Sequence, residues 1–220
     1  MADLDALSRA AQAALTQKHA ARERALPKSR AAIRLCANAI RAIHRAEFAQ
    51  ASALLDEAHT LLAEMSADLR DYPDIYFAGF LEDAQKEFAE AGVTAALVQG
   101  HELPTPETLG VEWAPYLNGM GEAIGEMRRH VLDMLRQGRF AECEAALAGM
   151  DEVFAVLTSL DFPDAITKNL RRTTDSARGI IEKTRGDLTT AALQAQLGAQ
   201  LAQVAARLAE HHPDTLHSEK

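Results

Sequence analysis

Tyr116-Leu-Asn-Gly-Met-Gly-Glu-Ala-Ile-Gly-Glu-Met-Arg-Arg-His-Val131 is the stretch on which the fold turns. Tyr116, Met120, Ile124, Met127 and Val131 recur at intervals of 4, 4, 3 and 4 residues. That period puts all five on one side of an α-helix and no side of a strand. Glu122 and Glu126, four residues apart, share a different face of the same helix, with Asn118, Arg129 and Asp133 continuing it. Gly119, Gly121 and Gly125 lie inside it. Each glycine costs a helix interior roughly 1 kcal/mol relative to alanine. Three together point to close approach of a neighbouring helix or a ligand.

Working outward, the same periods recur along the chain. A helix is expected over about 113–137, closed by Gly138, and another over about 140–160 carrying Phe140, Leu147, Val153, Phe154 and Leu157. Pro163 and Asp164 open a sixth, which either breaks near Gly186 or runs on to about Glu210. In it Leu193, Leu197, Leu201, Val204 and Leu208 form a seam spaced 4, 4, 3 and 4. Upstream, Gly100, Pro104, Pro106 and Gly110 mark a loop over 100–112. Helices are expected over 74–99 and 48–70, separated by Asp71-Tyr72-Pro73. Residues 3–46 read as one long helix, or as two broken near Pro27, with Leu35, Ala39 and Ile43 on one face.

Alanine and leucine dominate, aromatics are 5 % of the chain, and no period-2 strand is evident. The expectation is an all-α fold: one domain over residues 1–220, an antiparallel bundle of six or seven helices with frayed ends at about 1–5 and 211–220. A net charge of −9 argues against a generic DNA-coating protein, though not against a local basic surface. Cys36 and Cys143 have no metal-type spacing and suggest no disulfide framework. With no apolar run near the roughly 20 residues a bilayer requires and no signal core, the expected location is the cytoplasm, without membrane association.

A second carboxylate pair lies in Glu87-Phe-Ala-Glu90, where residues three apart again share a face, extended by Asp83 and Thr94. Like charges at these spacings repel unless something positive sits between them. A hard dication such as Mg²⁺ or Mn²⁺ would serve, since it prefers oxygen ligands. Spacing alone favours the blander alternative, a solvated acidic face. A di-iron carboxylate site is disfavoured, because it needs Glu-x-x-His and the chain offers Glu126-x-x-x-His130. Met120, Met127 and Met134 read as core filler. Trp113 reads as core or interface, and His130 as a surface histidine. Asp175, Arg178, Glu182 and Arg185 read as an ion-pair ladder along one helix. Arg30, Arg34, Arg41 and Arg45, with Asn38, share one side of the first helix. They suit either a phosphate-tracking face or a solvated one.

Several segments resemble the translin family. They are Ala25-Leu-Pro-Lys-Ser-Arg-Ala-Ala-Ile-Arg34, Glu82-Asp-Ala-Gln-Lys-Glu-Phe-Ala-Glu-Ala91, Tyr116 to Glu126, Asp161-Phe-Pro-Asp-Ala-Ile166 and Leu170-Arg-Arg-Thr-Thr-Asp-Ser-Ala-Arg-Gly-Ile-Ile-Glu-Lys-Thr-Arg-Gly-Asp-Leu188. The likeness runs from about residue 20 to 195. It implies a seven-helix bundle that assembles into a hollow octamer and binds single-stranded RNA or DNA. The branch of translin-associated factor X further implies a Mg²⁺-dependent endoribonuclease for single-stranded RNA. Its acidic positions fall here on Glu87, Glu90, Glu122 and Glu126, which would be both metal ligands and catalytic residues. A single chain of this kind would form a homo-octamer, with the alternative a shell that binds RNA or DNA without cutting it. One position departs in type: Glu122 stands where the family usually has Asp.

Overall fold

A computed structural model describes residues 3–211. Nine α-helices occur among the described residues, and no strand. Six are long: α1 (Leu4–His44), α2 (Phe48–Leu69), α4 (Phe80–Gln99), α6 (Trp113–Leu135), α7 (Phe140–Thr158) and α9 (Leu170–His211). Three are single turns: α3 (Pro73–Tyr76), α5 (Pro106–Leu109) and α8 (Asp164–Thr167). No helix among the described residues is long and apolar enough to cross a membrane.

The boundaries follow local chemistry, with instructive departures. The Asp3 carboxylate accepts from the backbone N–H groups of Asp5 and Ala6, both at 3.1 Å, and starts α1 inside the stretch expected to fray. The expected frayed residues 1–2 and 212–220 lie outside the described residues, while His211 is still helical. Of the two readings of residues 3–46, the structure takes the single long helix, with no break at Pro27. Pro27 and Glu23 are exposed, so the carbonyl that loses its partner faces water. The opposite side of the same turns is buried without interruption from Ala21 through Ala25, Ser29, Ala32 and Cys36. The helix expected over 74–99 is two, because Gly79 at φ 98° separates α3 from α4. The helix expected from Pro163 is also two. Lys168 and Asn169, at φ 52° and 65°, reverse the chain after α8. From there α9 continues past Gly186 without a break.

The α6 stripe does what its period implies. Tyr116, Met120, Ile124, Met127 and Val131 are buried with Leu147, Val153 and Leu157 of α7 and Leu170, Ile181 and Leu188 of α9. Met134 joins them, so the three methionines are core. A second core joins Ala25, Ala32 and Cys36 of α1 to Leu62, Met65 and Leu69 of α2 and Leu81 and Phe88 of α4. Helix α4 lies between the two, giving Phe88 and Ala91 to one and Ala89 and Val93 to the other. Beyond these cores α9 runs on uncovered: Leu193, Leu197, Leu201, Val204 and Leu208 are each more than half exposed.

Candidate functional site

The junction of α4 with α6 brings the acids together, and Gly119 permits it. A Cβ on Gly119 would stand 2.7 Å from the Lys86 carbonyl oxygen and 2.8 Å from the Glu90 amide nitrogen. No larger residue fits there without moving one backbone off the other. Gly121 is tight against a side chain of α9 rather than a backbone: a Cβ there would meet the Thr173 methyl at 2.4 Å. Gly125 has ordinary room, the nearest atom being the Ile180 methyl at 3.9 Å. Two of the three helix-interior glycines therefore mark close approach. Asn118 locks the same corner. Its side-chain amide donates to the carbonyls of Ala114 and Thr167, each at 2.9 Å, and its oxygen accepts from the Thr173 hydroxyl at 2.7 Å.

Glu87 and Glu90 of α4 and Glu122 of α6 each present a carboxylate oxygen, all within 4.8 Å of one another. Glu126 does not join them. Its Oε2 lies 2.5 Å from Nε2 of His44, a side chain only 3 % exposed at the end of α1. Lys86, one residue before the first acid, turns its ammonium onto Glu122, donating to Oε1 at 2.8 Å and Oε2 at 2.7 Å. It stands 3.6 Å from Glu87.

Burial and crowding set the charges. Burial, reinforced by the charges of Glu87, Glu122 and Glu126, pushes the Glu90 carboxyl from an ordinary 4.5 up to about 8. Burial also raises Glu87, with Lys86 pulling the other way. The His44 hydrogen bond draws Glu126 in the opposite direction, below the usual carboxylate range. Burial opposes charge on Lys86, but its hydrogen bonds to Glu122 and the neighbouring carboxylates hold the ammonium above its ordinary value. Cys36, packed beside this cluster, is pushed up to about 12 by burial and by the charges of Glu87 and Glu90. Three carboxylate oxygens converging on one another, with a fourth acid adjacent, are the donor set of a hard dication.

No family model matches the chain. It is 32 % identical over 183 residues to an uncharacterised protein of Methanocaldococcus jannaschii, covering 80 % of this chain and 78 % of that one. It is 34 % identical to AfC3PO in two solved structures, each with a TM-score of 0.79 and covering 84 % of this chain. The match spans 96 % and 97 % of those chains, and one of the two is a complex with duplex RNA. The chain belongs to the translin/C3PO family. Apo-NeC3PO shares the fold at 21 % identity and a TM-score of 0.74, over 87 % of this chain and 98 % of that one.

Elsewhere this family member keeps some sequence expectations and departs from others. Arg30, Arg34, Arg41 and Arg45 do lie exposed along one side of α1. Arg41 is committed to the Asn38 oxygen, and Arg45 to Glu47 at 2.6 Å. Arg30 and Arg34 make no side-chain hydrogen bond or ion pair among the described residues. The expected ladder on α9 gives way to contacts with α7: Arg185 pairs with both oxygens of Asp151 at 2.8 Å, and Arg178 lies 5.6 Å over the Phe154 ring. Trp113 is 59 % exposed and meets Tyr116 edge-on. His130 is half-buried rather than on the surface, and burial with the nearby His44 charge lowers its pKa.

Sequence reasoning missed two residues of this corner, His44 and Lys86. His44 had no local signal, being 82 residues from its partner. Lys86 had one: a base adjoining a like-charged pair is the cheapest cation available to it.

Proposed function

We propose that this protein is a divalent-cation-dependent endoribonuclease that hydrolyses phosphodiesters in single-stranded RNA and works as a homo-oligomer, an octamer by family resemblance. One observation carries the reading: Glu87, Glu90 and Glu122 converge within 4.8 Å in a chain 34 % identical to AfC3PO, a protein whose structures include an RNA complex. The donors fit Mg²⁺ or Mn²⁺, being all carboxylate oxygens that lie within 4.8 Å of one another. Such an ion would supply Lewis acidity at the attacked phosphate and acidify a water nucleophile. Glu87, Glu90 and Glu122 would hold it. Glu126, oriented by His44, stands ready as the fourth acid. The family's usual Asp at position 122 is one methylene shorter, and the longer arm lets Glu122 reach both Lys86 and the α4 acids.

Arg30 and Arg34, exposed and uncommitted, suit contact with the phosphates of a single strand, RNA first and DNA second. The uncovered seam Leu193–Leu208 of α9, with exposed Leu4, Leu7 and Leu15 of α1, suits burial between copies. A second reading has its own support. Glu122 and Glu126 are each already partnered, by Lys86 and His44, which is what a non-catalytic RNA-binding shell would need for stability alone.

One assay separates the two: incubate labelled single-stranded RNA with Mg²⁺, with Mn²⁺ and with a chelator. Metal-dependent cleavage, lost in Glu90→Gln and Glu126→Ala with RNA binding retained, is expected. Binding without cleavage selects the shell. Light scattering tests the assembly, and a monomer would remove the enclosed chamber.

A further inference from the structure

Lys86 is placed unusually for a surface ion pair. Such pairs join one charge to one charge in water and contribute little. Lys86 instead spans both oxygens of Glu122, stands 3.6 Å from Glu87, and has a side chain only 26 % exposed. Among the described residues it is the one Lys or Arg ion-paired with any of the three converging acids, and it reaches two of them, Glu122 and Glu87. Its ammonium therefore takes up the charge and the Glu122 lone pairs that a bound cation would use.

The same residue borders a second feature. A groove of about 300 Å³ adjoins the acids, lined by Lys86 and Lys168, by the carboxylates Glu82, Asp83 and Glu122, and by Asn118 and Thr173. Lys168 and Asn169 both have positive φ, 52° and 65°, an arrangement costly for residues with side chains. That turn aims Lys168 back at α4, where its ammonium lies 3.4 Å from Glu82. The groove thus holds two lysines whose charges are committed to acids, Lys168 to Glu82 and Lys86 to Glu122 with Glu87 at 3.6 Å, so that an ammonium meets a phosphate there only once its carboxylate is taken by another cation. A lysine stem has four rotatable carbons, so its ammonium moves several ångströms without moving the backbone.

We propose that Lys86 is the resident cation of the carboxylate site and a substrate-positioning residue: it occupies Glu122 until a divalent cation binds, then turns into the adjoining groove to meet a backbone phosphate opposite Lys168. This rests on the metal-dependent reading above. It makes empty-site stability and phosphate capture two positions of one side chain. In the first, Lys86 offsets the repulsion between Glu122 and Glu87. In the second, the cation has taken over that work, and the freed ammonium is a phosphate ligand present only in a loaded site.

The test uses the full chain and two probes. Mn²⁺ binding is measured by calorimetry without nucleic acid. Binding of a 2′-O-methyl single-stranded oligonucleotide, checked by gel for integrity, is measured with Mn²⁺ saturating and salt varied. Lys86→Met is expected to bind Mn²⁺ about tenfold more tightly, because nothing competes for Glu122. It should also lower the slope of log affinity against log salt by about 0.7, the loss of one phosphate contact to a single strand. Lys168→Met should lower the slope alike with Mn²⁺ affinity unchanged, and Lys86→Arg should not tighten Mn²⁺ binding. Lys86→Gln serves in the same roles should the methionine variant fail to fold by circular dichroism. Unchanged Mn²⁺ affinity in the Lys86 variants, an unchanged salt slope, or equal tightening by Lys168→Met overturns the proposal while leaving metal dependence standing. If neither wild type nor variant binds Mn²⁺, the metal-dependent reading falls and takes this one with it.

Discussion

Helices α4 and α6 each contribute two glutamates on one face, yet the two pairs end in different surroundings. On α4, Glu87 and Glu90 are crowded and buried, and both are pushed upward, Glu90 to about 8. On α6, Glu122 is taken by Lys86, and Glu126 is held by His44 below the usual carboxylate range. Spacing made the pairs look alike. What divides them is which acids the neutralising partners bond most closely: Lys86 reaches across from α4 and His44 from α1, and both make their shortest contacts on α6. The α4 pair is the less satisfied half of the site, with only Glu87 near Lys86 at 3.6 Å, and it is the half that gains most from an added cation.

The comparison breaks most completely at Gly119. Alanine there drives a methyl into the Lys86 carbonyl and the Glu90 amide, so α4 and α6 must separate. Urea denaturation should show a loss of roughly 3 kcal/mol, the upper range for overpacking. Mn²⁺ binding should vanish with it. A loss below about 1 kcal/mol would mean that the two backbones do not need this contact.

Next in size is Glu90→Gln. Between an ordinary 4.5 and about 8, the folded chain keeps the Glu90 proton while the unfolded chain has released it. Metal-free stability must then fall as pH rises through that window. Glutamine removes the slope and should stabilise the metal-free chain at pH 8 by on the order of 2 kcal/mol. Parallel stability–pH curves for wild type and variant would refute the raised carboxyl.

On the α6 side, His44→Ala strips a half-buried carboxylate of its donor and should cost about 1–3 kcal/mol. His44→Gln, which restores a donor near the Nε2 position, should recover part of this in thermal denaturation. Equal losses for both variants would mean that the imidazole acts by packing rather than by holding Glu126. The smallest effect lies outside the acid cluster: Arg34→Ala should change stability by less than about 0.5 kcal/mol. It should instead lower the salt slope of RNA binding by about 0.7. An unchanged slope would make the arginine face merely solvated.

Much of this corner was legible in residue order. The stripe from Tyr116 to Val131 is buried as its period implied, and the glycines beside Glu122 do mark close approach at Gly119 and Gly121. The acids could be picked out by type and spacing, and the family by segments spread over most of the chain. Their grouping could not, because Glu126 answers to a histidine 82 residues away rather than to its neighbour one turn back. The ladder on α9 failed for a related reason. Spacing offered Arg185 partners on its own helix, but Asp151 on α7 gives it both carboxylate oxygens at 2.8 Å.

Residue order by itself determined that the chain is helical and which residues share a face, because helical period is local geometry repeated every few residues. It also determined where glycine and proline interrupt that period, as at Gly138. Proline and glycine inside a helix were decided otherwise: Pro27 is absorbed because its exposed side lets water take the orphaned carbonyl, and α9 passes Gly186 unbroken. The tertiary structure alone decided which carboxylates converge, which are already neutralised, and that the α9 seam is left bare within one chain. Those outcomes depend on contacts between residues tens of positions apart, and a charge at that distance in sequence leaves no mark on the local pattern.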